Sequence, residues 1–335
     1  MKILIVRVGA MGDVLHALHA VAALRLARTD WQIDWVVDPR WAPLLVDHEG
    51  SGSIVHRVHL AETKLWAKSP ASTATLRSIL ALRSNLRREC YDLAVDMQGT
   101  LRSAVIGWMT GAQQFVGYSD PRESLAARFY SRKLTRRGAH VVEQGAALLG
   151  DACGLPLEPA GVTLPRNPHA EAWAEEEVRS RPLLMLAPGG GWGAKHWPTE
   201  RFGEVAREML LRVSDCVVNA GSGNTSLAAR VVAASDGAAR IAACDVAQLV
   251  ALIRRTDLFL GGDSGPTHLA AALAVPLVAL FGPTDPARNG PWGPGAKIVL
   301  RDAASVTSYK HADTLDPGLT NISTKAVVEA LKRLI

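Results

Sequence analysis

Apolar and polar residues in the first half of this chain alternate between two patterns. Short apolar runs typical of buried strands occupy residues 2–8, 33–37, 54–58, 93–96 and 114–117. Between them, apolar residues recur at spacings of three and four, which predicts helices over 13–28, 41–48, 73–88, 101–110 and 122–130. Because strands that alternate with helices form parallel sheets covered on both faces, the first half is predicted to be an α/β domain.

The second half repeats this scheme without repeating the sequence. Strands are predicted at 183–187, 217–220, 241–243, from 258 and at 276–280. Helices are predicted at 199–213 with Thr199 as its cap, up to 234, at 246–256 with Asp245 as its cap, at 266–274 and at 324–334. The stretch 157–168 is rich in Pro and turn residues and is predicted to be a linker, followed by a bridging helix at 169–179.

These elements predict two α/β domains, 1–165 and 166–335. We expect the strand ends of the two sheets to face each other across a cleft, which is a common place for a ligand site. The last helix could also pack back on the first domain.

Each half contains a glycine-rich turn between a strand and a helix. In Gly9-Ala-Met-Gly-Asp13 the carboxylate of Asp13 could cap the helix, or it could serve as a base. This turn lacks the third glycine of the dinucleotide fingerprint, which argues against an NAD-dependent oxidoreductase. The turn at 261–268 suits a phosphate-bearing ligand at the carboxyl edge of a parallel sheet. Its polar residues are Asp263, Ser264, Thr267 and His268.

Composition narrows the class of protein. No apolar stretch approaches the ~20 residues that span a bilayer, and the chain begins with a strand rather than a signal peptide, so we expect a cytoplasmic protein. The four cysteines have no metal-site spacing and are expected to be reduced. The net charge is +5, and the clearest basic cluster, at 122–137, fits a solvated face, an anionic substrate or an anionic membrane surface. No nucleic-acid module is recognisable, so nucleic acid is not an expected partner.

Six segments, taken in order, carry a family resemblance. They are Gly12-Asp-Val-Leu-His16, Asp96-Met-Gln-Gly-Thr-Leu-Arg-Ser103, residues 122–133, Lys195-His-Trp-Pro198, Asp263-Ser-Gly-Pro-Thr-His268 and Phe281-Gly-Pro-Thr-Asp-Pro286. With these segments the chain resembles the lipopolysaccharide heptosyltransferases of the ADP-heptose glycosyltransferase family. The segments at 96–103 and 122–133 look most like the first heptosyltransferase, which acts on Kdo.

The resemblance implies a GT-B fold, in which the first of two Rossmann-like domains binds the acceptor and the second binds the nucleotide-sugar. It implies inverting transfer of L-glycero-D-manno-heptose from ADP-heptose to the Kdo of lipid A–Kdo. No cofactor and no obligatory metal are expected. Because the acceptor is a lipid, peripheral contact with the inner leaflet of the inner membrane is expected.

The resemblance also assigns site residues. Asp13 matches the family's base and Lys195 its diphosphate-binding lysine. The expected donor-binding residues are Gly190, Gly191, Thr225, Cys244, Asp263, Ser264, Gly265, Thr267 and His268. The expected acceptor-binding residues are Gly12, Lys64, Lys68, Arg102 and Arg122, with both lysines in a polar loop. Asp263 could bond a sugar hydroxyl, orient Lys195, hold a metal or cap the following helix. His268 is as readily a core residue as a ligand contact, and structural roles are favoured for His16 and His196.

The chain also departs from the family pattern. Gly190 and Gly191 replace a threonine pair, Thr225 replaces an acidic residue, Cys244 replaces a methionine and Gln144 replaces an arginine on the acceptor side. These departures leave the donor sugar and the acceptor open, so a related GT-B transferase with another donor or core acceptor, such as a heptosyltransferase II, is an alternative. A non-catalytic two-lobed binding protein is a further alternative.

Overall fold

A computed structural model describes residues 1–47, 49–50, 54–221, 225–308 and 314–335. The chain forms two compact units, Met1–Pro165 and Arg166–Ile335. Each unit contains one six-stranded, fully parallel sheet.

The sheet of the first unit has the strand order β3-β2-β1-β4-β5-β6. Its strands are β1 (Lys2–Val6), β2 (Gln32–Val37), β3 (Arg57–Leu60), β4 (Leu93–Asp96), β5 (Gln114–Tyr118) and β6 (Arg132–Leu134). Its helices are α1 (Met11–Ala27), α2 (Thr63–Lys68), α3 (Thr73–Arg88), α4 (Leu101–Met109) and α5 (Val141–Cys153), with 3-10 helices at Pro39–Leu44 and Ser124–Arg128.

Helices cover both faces of this sheet. On one face, α3 and α4 bury Leu82, Leu86 and Ile106 against strand residues such as Leu4. On the other face, Tyr118 of β5 donates a hydrogen bond from its hydroxyl to a carbonyl of α5, which packs against α1. The sheet is therefore the buried centre of a three-layer domain, as the apolar strand runs predict.

The sheet of the second unit has the order β12-β11-β10-β7-β8-β9. Its strands are β7 (Leu183–Ala187), β8 (Asp215–Asn219), β9 (Arg240–Ala242), β10 (Leu258–Gly262), β11 (Leu277–Phe281) and β12 (Lys297–Arg301). Its helices are α6 (Pro168–Glu177), α7 (Thr199–Met209), α8 (Thr225–Ala234), α9 (Val246–Arg254), α10 (Gly265–Ala272), α11 (Pro286–Asn289), α12 (Pro317–Asn321) and α13 (Thr324–Lys332), with a 3-10 helix at Gly193–Lys195.

The final helix contributes to the core of the second unit. Val327 and Leu331 of α13 pack with Phe202 of α7 and with β11. The indole of Trp197 donates a hydrogen bond to the Ile322 carbonyl at 3.0 Å, which fixes the chain just before α13. The buried face of α13 thus packs within the second unit.

The two sheets have the same topology. Counted within its own unit, each sheet has the order 3-2-1-4-5-6 of doubly wound folds. In such sheets the chain winds in opposite directions from the first and fourth strands, and the crevice beyond their carboxyl ends is the preferred ligand site. In the first unit this point lies after β1 and β4, and in the second unit it lies after β7 and β10.

Several predicted elements need correction. The strand predicted at 54–58 begins at Arg57, and the helices predicted at 41–48 and 122–130 are the two short 3-10 helices. The predictions omitted α2, α5, β6, α11, β12 and α12. Thr199 is the first residue of α7 rather than its cap, which is Pro198. The predicted cap at Asp245 is confirmed, since its carboxylate accepts the Gln248 N–H at 2.8 Å.

Candidate functional site

One candidate site lies at the carboxyl ends of β7 and β10 in the second unit. These strands are neighbours, with Leu186 opposite Leu260 and Ala187 opposite Gly261. The segment after β7 carries Gly190, Gly191 and Lys195, and the turn after β10 carries Asp263 and Ser264. Residues that are about 70 positions apart in sequence are therefore brought to one edge of the sheet.

An ion pair joins the two segments. The ammonium of Lys195 donates a short hydrogen bond to Oδ2 of Asp263, and its Nζ lies 3.9 Å from the centre of the Trp192 ring. The side chains are only 11% and 8% exposed. The lysine is therefore held at a fixed place by a carboxylate on one side and an aromatic face on the other.

Asp263 is the centre of a buried polar network. Its carboxylate also accepts a hydrogen bond from the Thr284 hydroxyl at 2.6 Å and lies 3.3 Å from Nε2 of His268. Burial opposes ionisation of this carboxyl, but His268 and Lys195 outweigh it and hold its pKa well below the usual range. Asp263 is thus a permanent anion near neutral pH. Of the four roles considered for Asp263, its contact with Lys195 fits the one in which it orients that lysine.

The other roles considered for Asp263 have less support. The N-cap of α10 is Ser264, so Asp263 does not cap this helix. In the described part of the chain, no group of three or more His, Cys, Asp and Glu side chains has the arrangement of a metal site. His268 is 6% exposed and contacts Asp263 from α10, which makes it a buried partner of the carboxylate.

In the turn after β10, one hydroxyl that was expected to bind the ligand makes a hydrogen bond within the turn itself. Thr267 is fully buried, and its hydroxyl donates to the Gly262 carbonyl at 2.5 Å. Because that proton is used, the 3.2 Å contact between Ser264 and Thr267 has the Ser264 hydroxyl as donor. The hydroxyl of Thr267 therefore shapes the turn, and donor binding by this residue stays a prediction. Gly265 begins α10 and is partly exposed.

The two glycines before Lys195 differ in their surroundings. A Cβ on Gly190 would lie 3.2 Å from side-chain atoms of Lys195 and His196, whereas a Cβ on Gly191 would meet nothing within 4 Å. Gly190 therefore permits close packing of the segment, and Gly191 leaves open space beside it.

The residues expected near the nucleoside occupy the adjacent strand ends. Cys244 follows β9, is partly buried, and contacts Oδ1 of Asn219 at the end of β8 at 3.5 Å. Burial raises the pKa of its thiol to about 12, so the sulfur is neutral. Thr225 is exposed at the start of α8, and residues 222–224 before it lie outside the described part of the chain.

A second candidate site lies at the carboxyl ends of β1 and β4 in the first unit. Val6 of β1 is opposite Asp96 of β4. The side-chain carbonyl of Gln98 accepts the N–H groups of Val8 at 2.8 Å and Gly9 at 3.4 Å. The turn after β4 therefore holds the glycine turn that carries the predicted base.

Asp13 lies in the first turn of α1. Its carboxylate accepts the Ala10 N–H at 3.3 Å and pairs with Nη2 of Arg7 at 2.8 Å. The side chain nevertheless stays 44% exposed. Asp13 therefore supports the start of α1, whose N-cap is Ala10, and still has a carboxylate that solvent or a substrate can reach. Gly12 is partly buried beside it.

Asp96 organises the turn after β4, and sequence reasoning did not assign it a role. It is fully buried, and its Oδ1 accepts the N–H groups of Gln98 at 2.8 Å and Gly99 at 3.0 Å. Its Oδ2 accepts hydroxyls of Ser103 and Tyr130. Burial raises the pKa of Asp96 despite these bonds. The sequence does place this carboxylate at the end of an apolar strand, and that position could have indicated its role.

The predicted acceptor cations lie next to this turn. Lys64 and Lys68 are exposed on α2, so the expectation of a polar loop is wrong. Arg102 of α4 donates to the Thr63 hydroxyl at 3.2 Å, which joins it to α2. Arg122 is exposed, and a Cβ on Gly99, which has φ +72°, would lie 3.1 Å from its backbone nitrogen.

Gln144, which stands where the family pattern has an arginine, is buried. The side chain of another arginine contacts it. Nη1 of Arg136 donates to Oε1 of Gln144 at 3.2 Å, and its guanidinium lies 3.9 Å from the centre of the Tyr118 ring. His16 is also buried and meets His140 edge-on at 5.6 Å, in agreement with the structural role favoured for it. No helix within the described residues has the length and apolar character to cross a bilayer.

Comparisons with known proteins agree with this architecture. The family that matches is glycosyltransferase family 9 (heptosyltransferase), over residues 79–317. Lipopolysaccharide heptosyltransferase 1 of Pseudomonas aeruginosa is 32% identical over 95% of this chain and 88% of its own length. Lipopolysaccharide heptosyltransferase 1 of Escherichia coli K12 is 27% identical over 100% of both chains.

Solved structures show the same fold. E. coli heptosyltransferase WaaC with ADP has a TM-score of 0.79 at 23% identity, and with ADP-2-deoxy-2-fluoro heptose 0.77 at 23%, each over 100% of both chains. E. coli ADP-heptose lps heptosyltransferase II has a TM-score of 0.80 at 21% identity over 100% of this chain and 98% of its own. The predicted GT-B fold is confirmed. The chain belongs to glycosyltransferase family 9, the heptosyltransferase family, and is a glycosyltransferase.

Proposed function

We propose that this enzyme transfers L-glycero-D-manno-heptose from ADP-heptose to the Kdo of lipid A–Kdo, with inversion at the sugar carbon, in the synthesis of the lipopolysaccharide inner core. The relatives that are 32% and 27% identical are named lipopolysaccharide heptosyltransferase 1, and the WaaC structures hold ADP or a fluorinated ADP-heptose. The proposal assigns the donor to the second unit and the acceptor to the first.

The observation that carries the proposal is the network around Asp263. A lysine that is 11% exposed and fixed by a buried carboxylate, at the carboxyl end of the switch-point strands, supplies a positive charge where doubly wound folds bind phosphates. ADP departs from the sugar with growing negative charge on its diphosphate. A fixed cation there stabilises the transition state because it needs no reorganisation during the reaction.

Asp13 is proposed to be the base. The acceptor hydroxyl is a poor nucleophile until its proton is removed in the transition state. In a single displacement the acceptor oxygen bonds to the anomeric carbon, the bond from that carbon to the phosphate oxygen breaks, ADP leaves with the bonding electrons, and the hydroxyl proton moves to the Asp13 carboxylate. The 44% exposure of this side chain supports its access to a substrate.

The remaining residues are proposed to bind substrate. Lys64, Lys68, Arg102 and Arg122 are cations suited to the phosphates and carboxylates of the acceptor. On the donor side, Gly190, Gly191, Ser264 and Gly265 offer backbone N–H groups near Lys195. Cys244 and Thr225 lie at the ends of the strands where a nucleoside would extend. The enzyme is proposed to work in the cytoplasm, in peripheral contact with the membrane that holds its lipid acceptor.

A panel of donors and acceptors tests the proposal. Purified enzyme is expected to release ADP and add one heptose to lipid A–Kdo when given ADP-heptose, and product NMR should show the inverted anomer. Turnover only with a UDP-sugar would overturn the donor assignment. Turnover only with an acceptor that already carries the first heptose would show a heptosyltransferase II activity, which the departures at Gly190, Gly191 and Thr225 leave open.

A further inference from the structure

Exposed apolar side chains cluster on one helical layer of the first unit. This layer consists of α2, α3, α4 and the 3-10 helix Ser124–Arg128, and we call its outer face the α2–α4 surface. Its exposed apolar residues are Leu65, Leu76, Leu80, Leu101, Trp108 and Leu125. Large exposed apolar patches on soluble domains usually mark a binding surface.

Helical spacing shows that these side chains lie on faces of the helices other than the face that packs on the core. On α3 the inner stripe includes Leu82 and Leu86, which are buried against the sheet. Leu76 and Leu80 lie four residues apart on another face and are 52% and 59% exposed. On α4, Trp108 is 58% exposed while its neighbours on the inner stripe are buried.

The four elements form a continuous surface. The Trp66 indole on α2 donates to the Ser78 hydroxyl on α3 at 3.1 Å, and Arg102 on α4 reaches Thr63 on α2. The α4 helix packs against α3 and against the 3-10 helix. Leucines on these elements therefore belong to one patch.

Cations predominate on this surface. Residues 63–88 contain six Lys and Arg residues and no Asp or Glu, although Glu62 and Glu123 are exposed at the starts of α2 and of the 3-10 helix. Arg77 and Arg83 are exposed on α3 beside Leu76 and Leu80. The combination of exposed Leu and Trp side chains with an excess of cations is typical of surfaces that lie in the interface of an anionic bilayer.

We infer that the α2–α4 surface docks the enzyme on a bilayer rich in anionic phospholipid. The leucines and Trp108 enter the headgroup boundary, and the arginines contact lipid phosphates. The inference rests on the proposed function in one respect, because a lipid acceptor gives the enzyme a reason to bind a bilayer. The exposed leucines and the cations are observed independently of that proposal. The excess of cations beside exposed leucines favours an anionic bilayer over a protein partner or a second copy of the chain.

Vesicle co-sedimentation tests the inference with the full chain. Wild-type protein is expected to bind vesicles of phosphatidylcholine with phosphatidylglycerol, to release them at high salt, and to bind pure phosphatidylcholine weakly. The double variant R77E/R83E should lower the vesicle affinity about 30-fold, which corresponds to about 1 kcal/mol for each arginine. The variant L76S/L80S should lower it independently of salt.

The second unit offers a matched control. Leu210 and Leu211 are exposed adjacent leucines followed by exposed Arg212. The variants L210S/L211S and R212E should leave vesicle binding at the wild-type level. Equal loss in the control variants, or unchanged binding in R77E/R83E and L76S/L80S, would overturn the inference. A dimer in solution that R77E/R83E dissociates would instead show that the surface pairs two copies.

Turnover separates this inference from the proposed function. On a deacylated, water-soluble Kdo acceptor, R77E/R83E should keep wild-type kcat and KM, because no bilayer is involved. A raised KM on that acceptor would place the arginines in the acceptor site and overturn the docking role. If wild-type enzyme transfers no heptose to either acceptor, the proposed function fails while the vesicle result stands.

Discussion

At the scale of single residues, the account depends on how Lys195 is held. Its ammonium is bracketed by Asp263 and the Trp192 ring, and Asp263 is itself fixed by Thr284 and His268. We propose that Asp263 is a positioning residue, which acts through the lysine. In this proposal its negative charge holds the lysine in place for the diphosphate.

Replacing Asp263 by Asn should displace Lys195 and lower kcat/KM for ADP-heptose about 100-fold, because small misplacements of a charge at the reacting group are costly. The acceptor KM should stay near its wild-type value. Steady-state kinetics with each substrate varied in turn measures both effects.

The control for this variant is Thr284→Val, which removes one hydrogen bond but keeps the negative charge. It should cost much less activity than Asp263→Asn. If the two variants lose the same activity, the charge of Asp263 is not what positions Lys195.

Part of this arrangement around Lys195 could be predicted from the sequence. Asp263 was predictable because it follows a strand that ends in two glycines, and Lys195 because it matches a motif of the family. The hydroxyl of Thr284 was not predictable, because it meets Asp263 from 21 positions away through the packing of β10 against β11. The burial of Thr267 was missed because a local pattern does not show which hydroxyl a turn consumes for its own bonds.

At the scale of elements, α2 presents two of the predicted acceptor cations. Lys64 and Lys68 are four residues apart, so both project from one side of this short helix. Replacing both by Ala should raise the acceptor KM roughly two- to fivefold for each lysine, as for exposed ion pairs, and leave the donor KM unchanged.

The matched control for the lysine pair is Lys325→Ala, which removes an exposed lysine from α13. It should change neither KM. An unchanged acceptor KM in the Lys64 and Lys68 double variant would remove α2 from the acceptor site.

A buried network that joins β2, β3 and the segment before β4 makes stability depend on pH. Asp34 of β2 is fully buried and accepts the hydroxyl of Tyr91 at 2.7 Å, while Nε2 of His59 on β3 lies 2.8 Å from that hydroxyl. Burial opposes ionisation of Asp34, but hydrogen bonds from His59, Tyr91 and Gln32 prevail and lower its pKa. A lowered folded-state pKa stabilises the fold above the unfolded-state pKa of about 3.9, and this contribution is lost as the pH falls through the folded-state value.

Replacing Asp34 by Asn should therefore lower the free energy of unfolding by about 1–3 kcal/mol at pH 7. The difference from wild type should shrink as the pH falls below about 3.9, where the wild-type carboxylate begins to lose its advantage. Urea unfolding at a series of pH values measures it, with exposed Asp30→Asn as the control. A difference that stays constant with pH would contradict the role of the Asp34 charge.

Most elements were predictable from apolar spacing, and the exceptions have physical causes. The helix expected at 41–48 contains Pro43, which interrupts α-helical bonding, and the segment forms a 3-10 helix instead. The sequence of α5 contains Gly145 and Gly150, which weaken a helix prediction. Gly145 is explained only by the fold, because a Cβ there would lie 3.1 Å from Met97.

At the scale of the whole molecule, the resemblance to heptosyltransferases that six ordered motifs indicated is confirmed by the family match and by the relatives. Membership in this family leaves no support for an oxidoreductase or a non-catalytic binding protein. The assignment of the acceptor to the first unit and of the donor to the second stays a prediction, because it concerns bound ligands. Four of the six motifs follow β1, β4, β7 or β10, the strands at the switch point of each sheet, where doubly wound folds bind their ligands.

Ligand-induced stabilisation tests that division. ADP at about 100 times its Kd should raise the unfolding free energy by about 2.7 kcal/mol. Lys195→Ala should reduce this gain, whereas Asp13→Ala should retain it, because only the lysine is assigned to the diphosphate. Thermal unfolding with and without ADP gives the comparison, and equal loss in both variants would contradict the separation of donor and acceptor roles.

The most direct test of the account is the turnover of Asp13→Asn with ADP-heptose and lipid A–Kdo. Asparagine keeps an oxygen for the Ala10 N–H but takes up no proton from the acceptor. The account predicts a kcat lowered about 10²–10⁴-fold, with a donor Kd close to wild type. Turnover at the wild-type rate would show that Asp13 only supports the start of α1, and the proposed mechanism would be wrong.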